Sequence, residues 1–439
     1  RVITQWSAAI DSECAAAPWE FDGATPSGGQ TTSFQHDEVA SGGAGLITTI
    51  STTQSDAAAR VVTKQTNVMG RLRFLKDVLG ATSYVTEYDY DPVGNTAWVK
   101  DNAGNQTALG YDVRGFKVSM ADPDMGNWTY GYDSLGQLTT QTDAKGQITQ
   151  LAYDALGRMT SRIEKLNGST TESTTTWTYD NLTVGGPKAR GKLTSVTVAT
   201  GGYAGGTGYE EQYVYGSTYG ELADTRRRIE NEWFWVSQTY DSLGRLDVLK
   251  YPNSVSASTS TDAGSDSERV RIKHHYNGYG YLNSVSDAAT SAVYWTAVSN
   301  SAGGAILRED LGNGLSTLRT VDRASGHLEA LTTGPGVSAT VQNLEFDWDK
   351  AGNLKVRRDL QANKREEFDY DGLYRLAQAR LYATASGSTP SSTDNFTYDT
   401  LGNLTNKGGT AGAYTFSNYN YGTRTGCANT TVRPHAVYQ

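Results

Sequence analysis

The five histidines of this chain are the first candidates for a catalytic or metal-binding role. A zinc site needs several nitrogen or sulfur ligands at short, characteristic spacings, and no HExxH motif or Cys–His cluster occurs here. His274 and His275 are neighbours on a predicted strand, where adjacent side chains face opposite ways. We therefore predict structural or solvent-exposed histidines, with no metal and no cofactor. The histidines are His36, His274, His275, His327 and His435.

Two aspartate pairs resemble the beginning of calcium-binding loops. Asp89 and Asp91 form one pair, and Asp122 and Asp124 form the other. An EF-hand loop also needs a Glu at its twelfth position, and neither pair has one. Both pairs coincide with predicted turns, where Asp caps backbone amides. The sequence therefore predicts turn capping at both places.

Glu210 and Glu211 are the strongest candidates for a catalytic acid pair. A glycosidase needs two carboxylates on either side of a sugar, but neighbouring residues of a strand point apart. The sequence contains no GxSxG nucleophile elbow and no phosphate-binding P-loop. We predict no catalytic residues and no enzymatic activity. An enzyme that acts on polysaccharide is the least favoured alternative.

Composition favours many short strands joined by tight turns. The 439 residues include 48 Gly and 27 Tyr, and only 19% are charged. A net charge of −9 argues against binding nucleic acid, and the basic run Arg226–Arg228 is flanked by Asp224 and Glu230. The sequence has no run of 18 apolar residues, so we predict no membrane-spanning helix. Cys14 and Cys427 belong to no CxxC motif, so a disulfide and two free thiols both stay open.

A Tyr-Asp pair with a Gly three residues after the Asp recurs along the chain. Its period is 21 residues at Tyr90, Tyr111, Tyr132 and Tyr153. Constant spacing is the signature of a repeat architecture. Further copies or variants stand at Tyr179-Asp180, Tyr240-Asp241, Tyr276-Asn277, Trp348-Asp349, Tyr370-Asp371 and Tyr398-Asp399, with a weak copy at Asp77–Gly80.

Asp-x-x-Gly suits a type I turn, with the Asp accepting backbone hydrogen bonds and the Gly adopting a positive φ. Asp101, Asp122 and Asp143 mark a second turn in each regular period, so each repeat is predicted to be a β-hairpin. Two copies depart from the pattern. Asp180 lacks the Gly, and the Gly of the Tyr370 copy is predicted to be displaced to Gly372.

These motifs resemble the Rhs/YD-repeat family, which includes bacterial Rhs proteins, cocoon components of Tc toxins and teneurins. The residues that carry the resemblance are Tyr-Asp-Ser-Leu-Gly-Gln-Leu at 132–138, Thr-Asp-Ala-Lys-Gly-Gln-Ile-Thr at 142–149 and Tyr-Asp-Ala-Leu-Gly-Arg-Met at 153–159. The resemblance implies a long β-sheet wound spirally into a hollow shell. In bacterial members that shell encloses a toxic C-terminal domain.

We therefore expect an all-β fold, with a YD-repeat hairpin array forming part of a hollow shell. Residues 1–70 are expected to be an atypical entry or capping region, and residues 71–439 the shell, as a fragment of a longer core. The resemblance implies a secreted or cell-surface bacterial protein whose partners are an encapsulated toxin domain of the same polypeptide and secretion-system or Tc-type delivery components. Cell-surface adhesion or glycan binding is the main alternative.

Overall fold

The computed structural model describes residues 2–7, 30–37, 47–54, 57–67, 69–79, 82–200, 208–216, 218–229, 232–252, 269–409, 416–417, 420–422 and 433–438. Cys14, Cys427 and the loop predicted at Ser254–Ser267 lie outside these residues. His36 and His435 lie in described strands, but only their backbone is described.

The described residues are almost entirely β-structure, which confirms the predicted fold class. One short helix, α1, spans Leu182–Gly185 and is capped by Asn181, whose Oδ1 accepts a hydrogen bond from the Thr183 amide. The strands are β1 Val2–Ser7, β2 Gln30–Asp37, β3 Ile47–Gln54, β4 Ala57–Thr66, β5 Leu72–Leu79, β6 Thr82–Tyr90, β7 Thr96–Lys100, β8 Gln106–Tyr111, β9 Lys117–Asp122, β10 Gly126–Tyr132, β11 Leu138–Thr142, β12 Ile148–Tyr153, β13 Met159–Leu166, β14 Thr170–Tyr179, β15 Leu193–Thr200, β16 Tyr209–Tyr215, β17 Leu222–Ile229, β18 Glu232–Tyr240, β19 Leu246–Lys250, β20 Arg271–Tyr276, β21 Leu282–Asp287, β22 Val293–Asn300, β23 Ile306–Leu311, β24 Leu315–Val321, β25 Leu328–Pro335, β26 Gln342–Trp348, β27 Leu354–Asp359, β28 Lys364–Tyr370, β29 Leu376–Tyr382, β30 Ser392–Tyr398, β31 Leu404–Gly409, β32 Phe416–Ser417, β33 Asn420–Gly422 and β34 Arg433–Tyr438.

The chain divides into two compact units. The first contains residues 1–110, 121–124 and 316–439, and the second contains residues 111–120 and 125–315. In the second unit, β10 to β23 pair antiparallel, each with its neighbour in sequence. In the first unit, β1 to β8 and β25 to β32 pair in the same way. Each unit is therefore a ribbon of consecutive hairpins.

Few side chains are fully buried in the part of the chain that the structure describes. The buried apolar residues there are Ala189, Trp233, Trp235 and Tyr382. Most strand residues are instead half-exposed, so the ribbon depends on its hydrogen bonds and on contacts between neighbouring repeats. No helix among the described residues is long and apolar enough to cross a membrane.

Candidate functional site: the repeat corners

The turn that follows each repeat aromatic residue, here called a corner, has one recurring hydrogen-bond pattern. At Asp133 the carbonyl accepts from the Gly136 amide at 3.2 Å, and the Asp133 amide donates to the Gln137 carbonyl at 3.0 Å. The carboxylate Oδ1 accepts from the amides of Leu135 and Gln137, both at 2.9 Å. One carboxylate therefore satisfies two turn amides, which confirms the capping role predicted for Asp.

The corner Gly performs the task predicted for it. Gly136 has φ +84°, a left-handed conformation that costs little only without a Cβ. Across the hairpin Tyr132 pairs with Leu138, and the register shifts between Gly131 and Tyr132. A type I turn followed by a left-handed Gly and a register shift is a three-residue hairpin loop with a bulge. The extra residue lies on β11, where Leu138 to Thr140 oppose Gly131 and Tyr132.

The repeat tyrosines connect each hairpin to the one before it. The hydroxyl of Tyr153 donates to the carbonyl of Leu138, the first residue of β11, at 2.9 Å. The same bond, at 2.7 to 3.0 Å, joins other repeat aromatics to the first residue of the strand that follows the preceding corner. The pairs are Tyr90–Leu72, Tyr132–Lys117, Tyr179–Met159, Tyr215–Leu193, Tyr240–Leu222, Tyr276–Leu246, Trp348–Leu328, Tyr370–Leu354 and Tyr398–Leu376.

The residue after the corner Gly adds a second connection where it is Arg. Arg245 donates from Nε to Asp241 Oδ2 at 2.7 Å, and its guanidinium carbon lies 4.3 Å from the ring centre of Tyr276 in the next repeat. The hydrogen bond from the Arg245 amide is the main cause that lowers the pKa of Asp241, against partial desolvation, and the Arg245 guanidinium lowers the pKa further. Arg158 and Arg375 make equivalent contacts with the rings of Tyr179 and Tyr398.

Other corners have Asn in place of this Arg. The Asn353 side-chain amide donates to Asp349 Oδ2 at 2.9 Å, so the carboxylate is satisfied within the turn. The same arrangement occurs at Asn95 and Asn403. Both corner types satisfy the Asp, but only the Arg type also couples it to the next Tyr.

Alternate turns of an antiparallel ribbon lie at its two edges. We call the edge with the repeat aromatics the corner edge, and the other the opposite edge. On the opposite edge, Asp143 repeats the corner pattern, with Gly146 donating to its carbonyl at 3.0 Å and the Lys145 and Gln147 amides donating to Oδ1 at 2.9 and 2.8 Å. This confirms two turns per repeat.

One predicted corner is built differently from expectation. Gly372 was predicted to supply the positive φ after Asp371, and this is wrong. Tyr374 donates its amide to the Asp371 carbonyl at 2.9 Å and has φ +64°. The residue at the fourth position of the turn adopts a positive φ in order to close it. At this corner that residue is Tyr374, which takes the strained conformation although it is not Gly.

The Gly that is missing three residues after Asp180 is supplied after an insertion. Gly191 has φ +79°, and its amide donates to Asp180 Oδ1. The Asp180 amide donates to the Lys192 carbonyl at 3.1 Å, and the corner is complete with α1 inside its loop. Gly191-Lys192-Leu193 has the Gly, basic residue and Leu that follow an Arg-type corner, and this was the available signal.

Sequence reasoning also misplaced one corner. Asp77, predicted to begin a weak copy, lies inside β5 and pairs with Tyr84 of β6. The corner is at Asn67, whose carbonyl accepts from the Gly70 amide at 2.8 Å. Asn67 Oδ1 accepts from the Arg71 amide at 3.0 Å, as an Asp would. No aromatic residue precedes Asn67, so the Tyr-Asp signature gave no signal.

Side chains are described for three of the five histidines, and two of these have partners of other residue types. His275 Nε2 lies 2.8 Å from Ser286 Oγ, and the His327 ring packs 4.9 Å from the ring of Trp348. Among the described residues, no group of three or more His, Cys, Asp or Glu side chains is placed to hold a metal ion. Imidazoles engaged in this way serve packing and hydrogen bonding.

The acidic and basic candidates of β16 and β17 pair with each other. Glu211 contacts Arg227 at 2.8 Å, Glu210 contacts Arg228 at 3.2 Å, and Arg226 contacts Asp224 at 3.4 Å. The basic run, which the sequence leaves as either a solvated or a paired strand end, is paired here. Cross-strand register places Glu210 opposite Arg228 and Glu211 opposite Arg227, so the two carboxylates face opposite sides of the sheet.

The aspartate pairs divide between two roles. Asp91 caps its corner through bonds from Gly94 at 2.6 Å and Asn95 at 2.9 Å, and Asp122 accepts from the Asp124 amide at 2.9 Å. Capping is thus confirmed for Asp91 and Asp122. Asp89 instead forms an ion pair with Arg73 at 2.5 Å, which corrects its predicted role.

These corners and ties define a YD-repeat β-ribbon. An RHS repeat family model matches residues 132–170, which confirms the resemblance over all three of the segments that carry it. The search of curated proteins gave no match.

Solved structures show where the fold occurs. The Photorhabdus luminescens Tc holotoxin pore matches with a TM-score of 0.66 at 16% identity, covering 87% of this chain and 21% of the matched chain. A crystal structure of TcdB2-TccC3 matches with a TM-score of 0.67 at 16% identity, covering 89% and 22%. The crystal structure of TcdB2-TccC3 without its hypervariable C-terminal region matches with a TM-score of 0.66 at 16% identity, covering 93% of this chain and 22% of the matched chain. The similarity is one of fold, and the chain spans about a fifth of the chains it matches.

Proposed function

We propose that this chain is a section of wall in a container that encloses a toxic domain of the same polypeptide. The observation that carries the proposal is the hydroxyl-to-carbonyl tie between consecutive hairpins, which fastens each repeat to its predecessor. A ribbon fastened in this way extends without needing a packed core. The fold shared with TcdB2-TccC3 supports the same conclusion.

The chemistry of the sheet faces suits a wall better than a binding site for one tight ligand. The runs Phe346–Asp349 and Phe368–Asp371 alternate aromatic and Asp residues, a pattern that predicts one acidic face of the sheet. The structure corrects this, because those aspartates pair with arginines: Asp347 with Arg358 at 2.8 Å and Asp369 with Arg380 at 2.5 Å. A hydrated and largely neutralised face attracts an enclosed polypeptide only weakly. Cargo would therefore be held by enclosure rather than by adhesion.

The proposal makes the protein structural and not catalytic. Its partners would be the enclosed toxin domain and secretion-system or Tc-type delivery components, and its location would be secreted or on the cell surface. The division into a capping region at 1–70 and a wall at 71–439 stays a prediction. Immunoblots of culture supernatant, cell surface and cytoplasm would test the location.

Limited proteolysis of the polypeptide that the gene encodes tests enclosure directly. With an intact wall, trypsin is expected to release peptides of the toxic domain slowly. Gly136→Val, which breaks a corner, is expected to speed that release, whereas Ser134→Ala, at an exposed position of the same turn, should not. A toxic domain digested equally fast in all three proteins, or a gene that encodes no such domain, contradicts the proposal.

Glycan binding is a second candidate because of one concavity in the second unit. A cavity of about 280 Å³ is lined by Trp128, Gln141, Thr149, Arg162 and Glu164, among others. Register places Gln141 opposite Thr149 and Thr149 opposite Glu164, so these side chains share one face of the sheet. One indole ring among hydrogen-bonding groups is the chemistry that a sugar ring needs.

A glycan array with the isolated chain tests this candidate. A reproducible hit that Trp128→Ala removes would support it, provided that Trp177→Ala, on β14 outside the cavity lining, retains the hit. An array without hits leaves the container as the single proposal. Release of new reducing ends from a polysaccharide would instead indicate an enzyme.

A further inference from the structure

Six successive corners of the second unit carry an exposed apolar side chain at their tips. We call this row the apolar ladder. Successive corners on one edge are two strands apart, so the row extends for about 50 Å at 4.7–4.9 Å per strand. Its members are between 43% and 90% exposed. They are Leu135, Leu156, Leu182, Tyr219, Leu243 and Tyr279.

Turn geometry does not require these apolar tips. The opposite-edge turn at Asp143 has the same hydrogen bonds as the corner at Asp133, and its tip residue is Lys145. Among the described residues of that edge in the second unit, the exposed tips Asn167 and Thr290 are polar and Met125 is apolar. Ile229, Tyr251 and Val270, beside turns that lie partly outside the described residues, are exposed as well. Since polar residues satisfy the same turn, the leucines need another explanation. Contiguous exposed apolar side chains mark interaction surfaces.

One corner of the first unit contacts a ring from a distant part of the chain. Arg375 lies between two rings, with its guanidinium carbon 4.5 Å from the ring centre of Tyr398 and 5.8 Å from that of Tyr84. Tyr398 belongs to the next repeat, whereas Tyr84 belongs to β6, which stands much earlier in the chain. Tyr84 is the third residue of its strand, near the opposite edge of the ribbon. The neighbouring corner tips Leu373 and Leu401 are half-buried, whereas Met69 and Val93, at other corners of the same unit, are 71% and 80% exposed.

From this contrast we infer that the apolar ladder binds the opposite edge of a further stretch of YD-repeat ribbon. The incoming edge would present an aromatic ring to Arg158 and Arg245, as Tyr84 does to Arg375. Both arginines already contact the Tyr of the next repeat, at 4.3 Å from its ring centre. The inference rests on the proposed wall, because it assigns the contact that joins one course of ribbon to the next.

Each copy of the chain has both edges, so the contact can be tested by measuring whether copies of the chain bind one another. Contact between the ladder of one copy and the opposite edge of another is heterologous, so it joins copies into a ring or an open chain. Sedimentation velocity is therefore expected to show reversible association that grows with concentration. The triple variant Leu135→Glu, Leu156→Glu and Leu243→Glu is expected to weaken this association at least tenfold. Circular dichroism and the thermal midpoint would show whether the variant keeps its fold.

A matched control adds the same three charges to exposed strand positions of the second unit, as Ser119→Glu, Ala152→Glu and Thr239→Glu. It should associate like the wild type. A wild type that stays monomeric at every soluble concentration, or a control as impaired as the ladder variant, overturns the inference. So does ladder-dependent binding to phosphatidylcholine vesicles without self-association. Because no toxic domain takes part, the result is independent of the proteolysis test of enclosure.

Discussion

The two edges of the ribbon use the same turn for different purposes. The turns at Asp133 and Asp143 make the same four hydrogen bonds to within 0.2 Å. At the corner edge, Tyr132 precedes the turn, stacks on Phe116 at 5.1 Å and donates to the carbonyl of Lys117 in the preceding repeat. At the opposite edge, Thr142 stands in the place of Tyr132. Backbone geometry therefore makes the hairpin, whereas the aromatic residue makes the repeat cohere with its neighbour.

The largest expected effect separates two glycines that share one backbone conformation. Gly136 has φ +84° and Gly146 has φ +75°, so Ala at either position is strained by about 1–2 kcal/mol. A Cβ at Gly136 would also lie 2.3 Å from Phe116 Cζ, whereas a Cβ at Gly146 has open space. Overpacking adds about 1–3 kcal/mol, so Gly136→Ala should be the more destabilising. Urea unfolding of both variants measures the difference, and equal midpoints would contradict a coupled corner.

Loss of one tyrosine hydroxyl should have a smaller effect. Tyr153→Phe removes the bond to the Leu138 carbonyl and leaves that carbonyl with one partner fewer. A net cost of about 0.5–1.5 kcal/mol is expected. Tyr130→Phe is the control, because its ring can keep the contact with Lys117 Nζ, which lies 4.4 Å from the ring centre. If both substitutions have the same effect, the tie between hairpins contributes nothing measurable.

Exchanging the two corner types should have a smaller effect still. Arg245→Asn keeps a donor for Asp241 but loses the contact with the Tyr276 ring, at an expected cost of about 0.5–1 kcal/mol. Asn353→Arg tests the converse, since Tyr370 follows in the next repeat. It should raise the unfolding midpoint slightly. If Arg245→Asn lowers the unfolding midpoint and Asn353→Arg raises it, the Arg provides the coupling. A shift of the midpoint in the same direction in both variants would refute it.

The regular corners could be predicted from sequence because each needs only four local residues. A carboxylate or carboxamide at the first position and a residue at positive φ at the fourth are enough, as Asp133 and Gly136 show. The same local logic explains the failures. Gly191 completes the corner of Asp180 from eleven residues away, and Tyr374 adopts a positive φ that its residue type disfavours. Hydrogen-bond geometry, rather than spacing, defines the corner.

Contacts between repeats were less accessible to sequence reasoning. No residue pattern identifies the acceptor of the Tyr153 hydroxyl, because that acceptor is a backbone carbonyl and every residue has one. The neutralised aspartates were missed for another reason: Asp347 and Arg358 meet across two paired strands, and only the register brings them together. Ion pairing across strands needs the register, which the period alone does not give.

The smallest expected effect is a pH dependence at the opposite edge. Asp287 accepts hydrogen bonds from the Thr290 amide at 2.7 Å, the Tyr294 hydroxyl at 2.9 Å and the Ala289 amide at 2.8 Å. In that order these bonds lower the pKa of Asp287 to about 2. A carboxyl pKa below its unfolded value of about 3.9 stabilises the fold above that value, and the contribution is lost as the pH falls towards 2.

Asp287→Asn should therefore flatten the dependence of stability on pH between about 4 and 2. The aspartates of the corners should titrate as they do in the wild type. Carbon NMR titration of the Asp287 carboxyl measures the pKa directly, and Tyr294→Phe should raise it because one donor is removed. An unshifted carboxyl near 4 in the wild type would mean that the opposite-edge turn is not formed as described. The corner carboxylate Asp241, whose pKa depends on Arg245, should not respond to Tyr294→Phe. Independent titration of Asp287 and Asp241 would show that the two edges use the same kind of turn, but that their aspartates have different hydrogen-bond partners.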